Sequence, residues 1–297
     1  MKKVNLMLFL VLTVNSFAQR YDFQMRNALP QLSNPAYVGT AATPRLNYGI
    51  MLRNPQLSSS TTLHYLSHDQ YVEQLHGGVG LQLVGQSISP NFSSVATALL
   101  AYSYQLDITD KLTLAAGVEA GYATERHNYG YFTTNNVDSI VARHFFDYSV
   151  GIAGYTEHFY GGVRFSPFNA PSYLSEQTTM RANFWQAHLG YVLTPFTNKD
   201  LAFNISSTYT RLNSFQQLGL QVFFNTKRFS VGVNYIESDA VQFFGGVNFW
   251  QLMLRLSHEQ QLTKLSNSSA NSTALTLTYN FKKEPVRKSR AMDITLF

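Results

Sequence analysis

Residues 273–281 have the sequence TALTLTYNF, which is the clearest strand pattern in the chain. Alternate residues fall into two sets, and this period of two is the side-chain period of a β-strand. The first set is Thr273, Leu275, Leu277, Tyr279 and Phe281, and the second set is Ala274, Thr276, Thr278 and Asn280. One face is therefore aliphatic with aromatic residues at its end, whereas the opposite face is small and polar.

The same alternation occurs in residues 112–122 and 229–235. A soluble β-sandwich also alternates, but its outward face is usually rich in Lys and Glu. The polar face here consists of Gly, Ser, Thr, Asn and Gln, with isolated charges such as Glu119, Arg164 and Arg255. Such a face suits a barrel lumen, and an aliphatic face with aromatic ends suits the lipid-facing band of an outer-membrane barrel. The pattern therefore favours a transmembrane barrel over a secreted sandwich.

The composition also indicates a protein that faces something other than water. Among 297 residues, 13% are charged and 14% are aromatic, whereas about 25% are charged in a typical soluble domain. A mean hydropathy of -0.12 excludes a helical membrane protein, and a disordered chain would be rich in charge and poor in aromatic residues. Because the chain has no cysteine, disulfides, thiol catalysis, cysteine metal sites and a lipoprotein anchor are excluded.

Residues 1–18 have the pattern of a secretory signal peptide. Two lysines precede an apolar core at residues 6–14, and Ser16-Phe17-Ala18 is a small-x-small cleavage site. The apolar run is much shorter than the roughly 20 residues that a membrane helix needs. We therefore expect cleavage before Gln19, export of the mature chain, and a final location in the outer membrane of a Gram-negative bacterium.

Period-two segments predict an all-β protein, a transmembrane antiparallel barrel of about fourteen strands over residues 45–281. An even number is usual for a bacterial barrel and places both termini on the periplasmic side. The longest predicted connections, residues 126–145, 167–181 and 259–270, all follow odd-numbered strands and so lie on the outer side. The predicted strands span residues 45–53, 59–67, 77–87, 93–106, 111–125, 146–155, 159–166, 182–194, 200–209, 215–226, 228–237, 240–249, 251–258 and 271–281.

Two segments lie outside the predicted barrel. Residues 19–44 contain three prolines and no sustained period, so we expect an extended N-terminal arm in the periplasm or in the lumen. Residues 282–297 hold five basic and two acidic residues. We expect this segment to be a basic periplasmic tail, either an inert solvated extension or a docking peptide.

No motif in the sequence indicates catalysis or cofactor binding. His64 and His68 would lie about 13 Å apart on a strand, which is too far for one metal ion. Gly77-Gly78-Val79-Gly80 precedes a strand and does not open a helix, so it is not a phosphate-binding loop. Basic residues are scattered outside the tail, so nucleic acid is not an expected partner. We therefore predict no enzyme activity, no cofactor and no metal site.

A hexapeptide in the arm resembles a known family signature. Asn34-Pro35-Ala36-Tyr37-Val38-Gly39 is similar to the Asn-Pro-Ala-Tyr-Ala-Gly signature of the PorP/SprF family, the outer-membrane barrels of the type IX secretion system. The lead-in at residues 24–33 and the pair Arg53-Asn54 also resemble this family, whose first strand has an Arg-Asn-Gln-Trp pattern. Pro55-Gln56-Leu57 replaces the aromatic part of that pattern. The hexapeptide is also consistent with an ordinary turn, because Asn before Pro favours a turn.

The resemblance implies a role in protein secretion and gliding motility in the Bacteroidota. Members of the family help large surface proteins (adhesins) to leave through the translocon, or hold them by a C-terminal secretion domain. The resemblance also implies that the barrel is not the conduit for a folded passenger. The predicted size is consistent with this, because fourteen strands give a narrower lumen than the roughly 16–18 strands of a porin. The implied partners are outer-membrane lipid, the surface protein's C-terminal domain, the translocon and the periplasmic ring components.

An outer-membrane channel or transporter for small hydrophobic molecules is the main alternative, because an arm can also plug such a barrel. Polar inward positions such as Gln221 and Asn234 argue against an apolar pocket, whereas Phe223 and Phe244 argue for one. For the secretion role, the aromatic-rich loop at residues 127–145 is the candidate partner-binding loop. The alternative is that its aromatic rings fold over the barrel mouth and close the pore. The candidate contact residues in this loop are Tyr129, Tyr131 and Phe132.

Overall fold

The computed structural model describes residues 29–55, 60–128, 140–170, 180–194, 201–212, 215–237, 239–262 and 271–281. The predicted signal peptide and the predicted basic tail lie outside these residues. Within the described residues, the strands form a closed antiparallel barrel of fourteen strands. The fold that the alternation predicts is therefore confirmed.

Each strand pairs with its neighbours in sequence, and β1 closes the barrel by pairing with β14. The closing register joins Arg45 to Asn280 and Arg53 to Ser272. The strands are β1 (Arg45–Arg53), β2 (Thr61–Val72), β3 (Gly77–Ile88), β4 (Ser93–Asp107), β5 (Thr113–Asn128), β6 (Ile140–Tyr155), β7 (Phe159–Ala170), β8 (Met180–Leu193), β9 (Leu201–Leu212), β10 (Phe215–Thr226), β11 (Phe229–Ile236), β12 (Ala240–Phe249), β13 (Leu252–Gln261) and β14 (Asn271–Asn280).

The hairpin of β5 and β6 is longer than the sequence pattern predicts. Both ends of the predicted loop at residues 126–145 belong to the strands, because β5 continues to Asn128 and β6 begins at Ile140. Alternation persists in this region, since Glu125 and His127 are buried on the inward face while Arg126 between them is exposed. The loop prediction is therefore wrong for residues 126–128 and 140–145, and residues 129–139 lie outside the described residues.

The two faces of the wall differ as predicted. Val118 and Leu277 point outward and are 44% and 39% exposed, whereas the adjacent Glu119 and Thr276 point inward and are each 2% exposed. An outward face of aliphatic side chains suits contact with lipid. Several exposed aromatic residues lie near the strand ends at one rim, where a barrel carries an aromatic girdle. They are Phe159, Phe229, Phe249 and Trp250.

The connections distinguish the two rims of the barrel. The rim that holds the start of β1 and the end of β14 has short turns at residues 156–158, 227–228 and 250–251. The strand ends that flank residues 129–139 and 171–179 lie at the opposite rim. Short periplasmic turns and long outer loops are typical of outer-membrane barrels. We therefore call the first rim periplasmic and the second rim outer.

Candidate functional site

The part of the arm that the structure describes, residues 29–44, lies inside the barrel lumen. Leu29, Asn34, Ala36 and Val38 are each exposed by 1% or less, and they lie among inward-facing side chains of the strands. This part of the arm is coiled and not extended. It forms α1 (Pro30–Ser33) and a 3-10 turn (Pro35–Tyr37). No helix in the described chain is long and apolar enough to cross a membrane.

Prolines start both turns of the arm. Pro30 and Pro35 each lie at the first position of a turn. The backbone N–H of this position has no partner within the turn, so proline loses no hydrogen bond by lacking it, and the fixed φ of proline favours the helical conformation. Asn34 connects the turns, because its backbone N–H donates to Pro30 O at 3.0 Å. Its side-chain Oδ1 accepts from Ala36 N at 2.9 Å, as expected for Asn at a helix N-cap. The Asn-Pro pair therefore forms the turn that the sequence predicts.

The Asn34 side chain also connects the arm to the barrel wall. Its Nδ2 donates to the carbonyl of Ile152 on β6 at 3.0 Å and to that of Val163 on β7 at 3.2 Å. Ile152 and Val163 face each other across the seam between these strands. Because Asn34 is fully buried, both bonds compensate for the loss of water. An aspartate could not donate to either carbonyl, so the amide has a specific chemical role here.

Two wall glycines allow the arm to approach the strands this closely. A Cβ on Gly151 of β6 would lie 2.0 Å from Asn34 Oδ1. A Cβ on Gly117 of β5 would lie 2.3 Å from both Ala36 N and the carbonyl carbon of Pro35. Any larger residue at these positions would displace the arm, since the contacts at Gly117 involve backbone atoms. The hexapeptide therefore packs against bare backbone on β5 and β6.

Tyr37 contacts β8, which lies beside the seam that Asn34 contacts. Its hydroxyl oxygen lies 2.6 Å from His188 Nε2 on β8, and its ring centroid lies 6.5 Å from that of Tyr155. Burial is the main cause that raises the pKa of Tyr37 well above its ordinary value of 10.0, and the neighbouring tyrosines act in the same direction. Tyr37 is therefore a neutral hydroxyl that bonds to an imidazole ring.

A buried ion pair holds the end of the hexapeptide near the periplasmic rim. Gly39 N donates to Asp69 Oδ2 at 2.8 Å, and Arg45 Nε donates to Asp69 Oδ1 at 2.6 Å. Gly39 has a φ of +69°, a left-handed conformation that glycine adopts without steric cost. Gln105 Nε2 donates to Val38 O at 3.1 Å.

We call the wall residues that contact the hexapeptide the motif seat: Asp69, Ser103, Gln105, Gly117, Gly151, Ile152, Val163 and His188.

A second ion pair, between the half-buried Arg164 and the buried Glu119, connects α1 to the wall. Arg164 on β7 donates to Leu32 O at 2.5 Å and to Glu119 Oε1 at 2.5 Å. Ser149 and Gln82 also donate to the Glu119 carboxylate, at 2.6 and 3.1 Å. Glu119 and Arg164, which look isolated in the sequence, are therefore paired in space, as buried charges need to be.

Leu29 covers an apolar cluster in another part of the lumen. It packs with the inward-facing Phe223 and Phe244, whose ring centroids lie 5.4 Å apart. The remaining members of the cluster are Met51, Leu63, Tyr65 and Ala274. The two aromatic residues that could line an apolar pocket thus belong to the same buried cluster as Leu29 of the arm.

The structure brings the six predicted motif residues together, and it leaves the predicted loop residues untested. Asn34 to Gly39 form one buried unit, whereas Tyr129, Tyr131 and Phe132 lie outside the described residues. Sequence reasoning missed the motif seat. Glycines on the polar face of β5 and β6 were its only signal, and such glycines are common in any barrel lumen. Among the described residues, no group of three or more His, Cys, Asp or Glu side chains could hold a metal ion.

Comparison with protein families identifies the family of this chain. The family model described as "Type IX secretion system membrane protein PorP/SprF" matches residues 16–279, which include the arm and nearly the whole barrel. The chain belongs to the PorP/SprF family. The family membership that the resemblance implies is therefore confirmed, and this PorP/SprF protein is an outer-membrane barrel of a secretion-system family. No curated protein matches the chain.

Solved structures with a similar fold are outer-membrane barrels. A mutant of the monoaromatic hydrocarbon channel TodX matches with a TM-score of 0.52 and 13% identity, over 88% of this chain and 95% of that chain. The P. putida toluene transporter TodX matches with a TM-score of 0.50 and 12% identity, over 84% of this chain and 93% of that chain. At such low identity, the likeness shows the fold alone.

Proposed function

We propose that this PorP/SprF barrel binds a large secreted surface protein (an adhesin) by its C-terminal domain and helps to export or anchor it. The main support is the buried arm. The family hexapeptide is part of the folded interior, where Asn34 bonds to two strands and Gly39 bonds to Asp69. An arm packed in the lumen is more consistent with a component that binds its partner than with an open conduit for a folded passenger.

We infer that partners meet the barrel at both rims. On the outer side, the proposed contact residues are Tyr129, Tyr131 and Phe132, because aromatic residues are enriched at protein interfaces. On the periplasmic side, the buried pair of Arg45 and Asp69 connects the arm to the rim, where the translocon and ring components would bind. The proposal includes cleavage of the signal peptide and a role in gliding motility.

A channel for small hydrophobic molecules is the second candidate function. The observation in its favour is the apolar cluster in which Leu29 covers Phe223 and Phe244. In a channel, α1 would move aside and leave this cluster free to bind an apolar molecule. The likeness to TodX adds no functional support, because it shows the fold alone.

Deletion of residues 21–39 in the native host distinguishes these functions. The barrel should still insert, because β1 and β14 pair without any contribution from the arm, and heat-modifiable migration on a gel checks this. We expect large type IX surface proteins to disappear from the cell surface, as measured by surface biotinylation and mass spectrometry. The full-length chain at equal expression is the control. Normal surface display combined with altered uptake of hydrophobic compounds would favour the channel.

Replacement of Tyr129, Tyr131 and Phe132 together with Ser tests the outer loop. If these rings hold the partner, the surface protein is shed into the medium while the membrane stays tight. If they only close the barrel mouth, permeability rises and display is normal. The matched control is Thr133→Ser with Thr134→Ser, which changes the same loop without removing a ring.

A further inference from the structure

The seam between β6 and β7 is paired only near the periplasmic rim. Its register pairs stop at Val150 with Phe165. Beyond this point β6 continues to Ile140 and stays paired with β5, and β7 continues to Ala170 and stays paired with β8. Among the described residues, the β6 segment at residues 140–149 therefore has a ladder on one side only. We call this segment the open edge.

Pro167 explains why the pairing stops at this point. Continued pairing would place Tyr148 opposite Pro167, and proline has no N–H to contribute to a ladder. The side chain of Ser166 replaces the missing backbone bond, because its Oγ donates to Tyr148 O at 3.2 Å. A side chain between two strands holds them farther apart than a direct backbone bond does. The opening is therefore a consequence of the sequence of β7.

The open edge begins within the lipid-facing band. A rise of about 3.3 Å per residue and a tilt of about 45° give roughly 2.3 Å of height per residue, so Phe146 lies about 21 Å above Tyr155 in a band about 25 Å tall. Phe146 and Tyr148 point outward and are 62% and 43% exposed. Unpaired backbone groups are strongly unfavourable at this depth, because lipid tails form no hydrogen bonds. An occupant of the opening must therefore supply backbone donors and acceptors.

We propose that the open edge accepts an extended segment of a second polypeptide as an added β-strand. This mode of recognition combines main-chain hydrogen bonds with side chains that alternate between two faces. The inference deepens the proposed function and rests on it in one respect only, namely that the exported protein donates the strand. The opening itself does not depend on the donor's identity.

The side chains of the open edge define the segment that fits. Phe146 and Tyr148 require apolar residues on the lipid face of the added strand. Asp147 is half-buried and points to the lumen, and its neighbour on β5 is Gly121, which offers no charge. The charged groups near Asp147 are Glu119 and Arg164, which pair with each other. A basic residue on the added strand opposite Asp147 would give this carboxylate a partner of its own. The predicted segment therefore alternates apolar and small polar residues, with a Lys or Arg at one lumen-facing position.

A synthetic peptide with the sequence Thr-Val-Thr-Val-Lys-Val-Thr-Val tests the inference directly. The full-length protein is reconstituted in lipid nanodiscs, and amide hydrogen exchange is followed by NMR for each residue. Without the peptide, we expect alternate amides in residues 145–149 to exchange at least tenfold faster than the amides of β5. With the peptide, those amides should slow at least tenfold. The control peptide has the same sequence but N-methylated backbone nitrogens, which cannot donate to the edge.

The second part of the experiment closes the opening with a disulfide. Because the chain has no native cysteine, Tyr148→Cys with Pro167→Cys creates a single disulfide across the opening. The control pair is Leu100→Cys with Ala120→Cys, which face each other on the paired seam of β4 and β5. The peptide effect should vanish in the first oxidised variant and persist in the second.

Three results would overturn the inference, and they differ from a failure of the proposed function. The first is full protection of residues 145–149 before any peptide is added, since another part of this chain or a second copy would then fill the opening. The second is an equal effect of the N-methylated peptide, and the third is an effect that survives the disulfide. Normal surface display in cells with the oxidised disulfide, together with a positive peptide result, would exclude only the exported protein as the donor.

Discussion

At the scale of single residues, the absence of a side chain at Gly117 is what allows the arm to pack. A Cβ at this position would lie 2.3 Å from backbone atoms of the arm, which cannot turn aside as a flexible side chain can. We expect Gly117→Ala to displace the hexapeptide. In a chain that carries Val38→Cys, maleimide should label the new thiol at least tenfold faster in the Gly117→Ala background. The control is Gly85→Ala, because a Cβ at Gly85 has nothing within 4 Å, and equal labelling of both variants would refute the close packing.

The amide of Asn34 gives a second prediction at this scale. Asn34→Asp removes two donors from buried carbonyls and places a carboxylate beside them. The expected loss is about 1–3 kcal/mol in the free energy that holds the arm in place, the usual cost of leaving buried polar groups unpaired. Urea dependence of maleimide labelling at Val38→Cys measures this loss. Thr40→Ser is the matched control, because it keeps the hydroxyl that donates to Tyr37 O at 2.7 Å; equal stability of the two variants would contradict the prediction.

The neutral Tyr37 hydroxyl makes the position of the arm sensitive to alkaline pH. Burial raises the pKa of Tyr37 above its ordinary value of 10.0, so a released arm ionises at lower pH than a seated one. The stability from Tyr37 is therefore complete below pH 10 and is lost as the pH rises above that value. Labelling of Val38→Cys relative to a free thiol should increase above pH 10. Tyr37→Phe should weaken this increase, and an unchanged pH profile in that variant would assign the effect to other groups.

At the scale of elements, the strands could be predicted from the sequence because both surroundings of the wall impose the same period. Lipid selects aliphatic residues on one face and the lumen selects small polar residues on the other, so alternation marks every strand. The pattern fails where charges reach the strand ends. Arg126 and Arg143 suggest a loop, yet both lie in the β5–β6 hairpin.

The arm could be predicted only in part. Asn-Pro indicates a turn, and the hexapeptide identifies the family, but the position of the arm depends on partners far away in the chain. Asn34 bonds to Ile152 and Val163, and Gly39 bonds to Asp69. Which glycines and carboxylates meet the arm follows from the register of the barrel, and no local pattern contains that information.

The lipid-facing band predicts a dependence on depth along one strand. Val118 and Leu114 both point outward from β5 and are each 44% exposed, but Leu114 lies at the periplasmic end of the strand. Val118→Arg should destabilise the barrel by about 2–4 kcal/mol, and Leu114→Arg by about 0–1 kcal/mol. Equilibrium unfolding in lipid vesicles measures both. Equal losses would show that Val118 does not lie near the middle of the bilayer.

At the scale of the whole molecule, the barrel and the arm form one folded unit. Charged and polar groups of the wall bond to the arm, Leu29 covers the inward aromatic residues, and Asn34 bridges the seam just below the point where β6 and β7 part. The arm packed in the lumen and the incomplete wall both support the proposal that this protein works by binding other polypeptides. A channel would instead require a path through the lumen.

Ion conductance of the purified protein in planar lipid bilayers tests this view most directly. The full-length chain is compared with the variant that lacks residues 21–39, after insertion of both barrels has been verified. If the arm closes the lumen, the full-length chain should conduct at least tenfold less than the deletion variant. Equal conductance of the two proteins would mean that the lumen is open with the arm in place, and it would contradict the central claim that this barrel binds its partner and does not act as a channel.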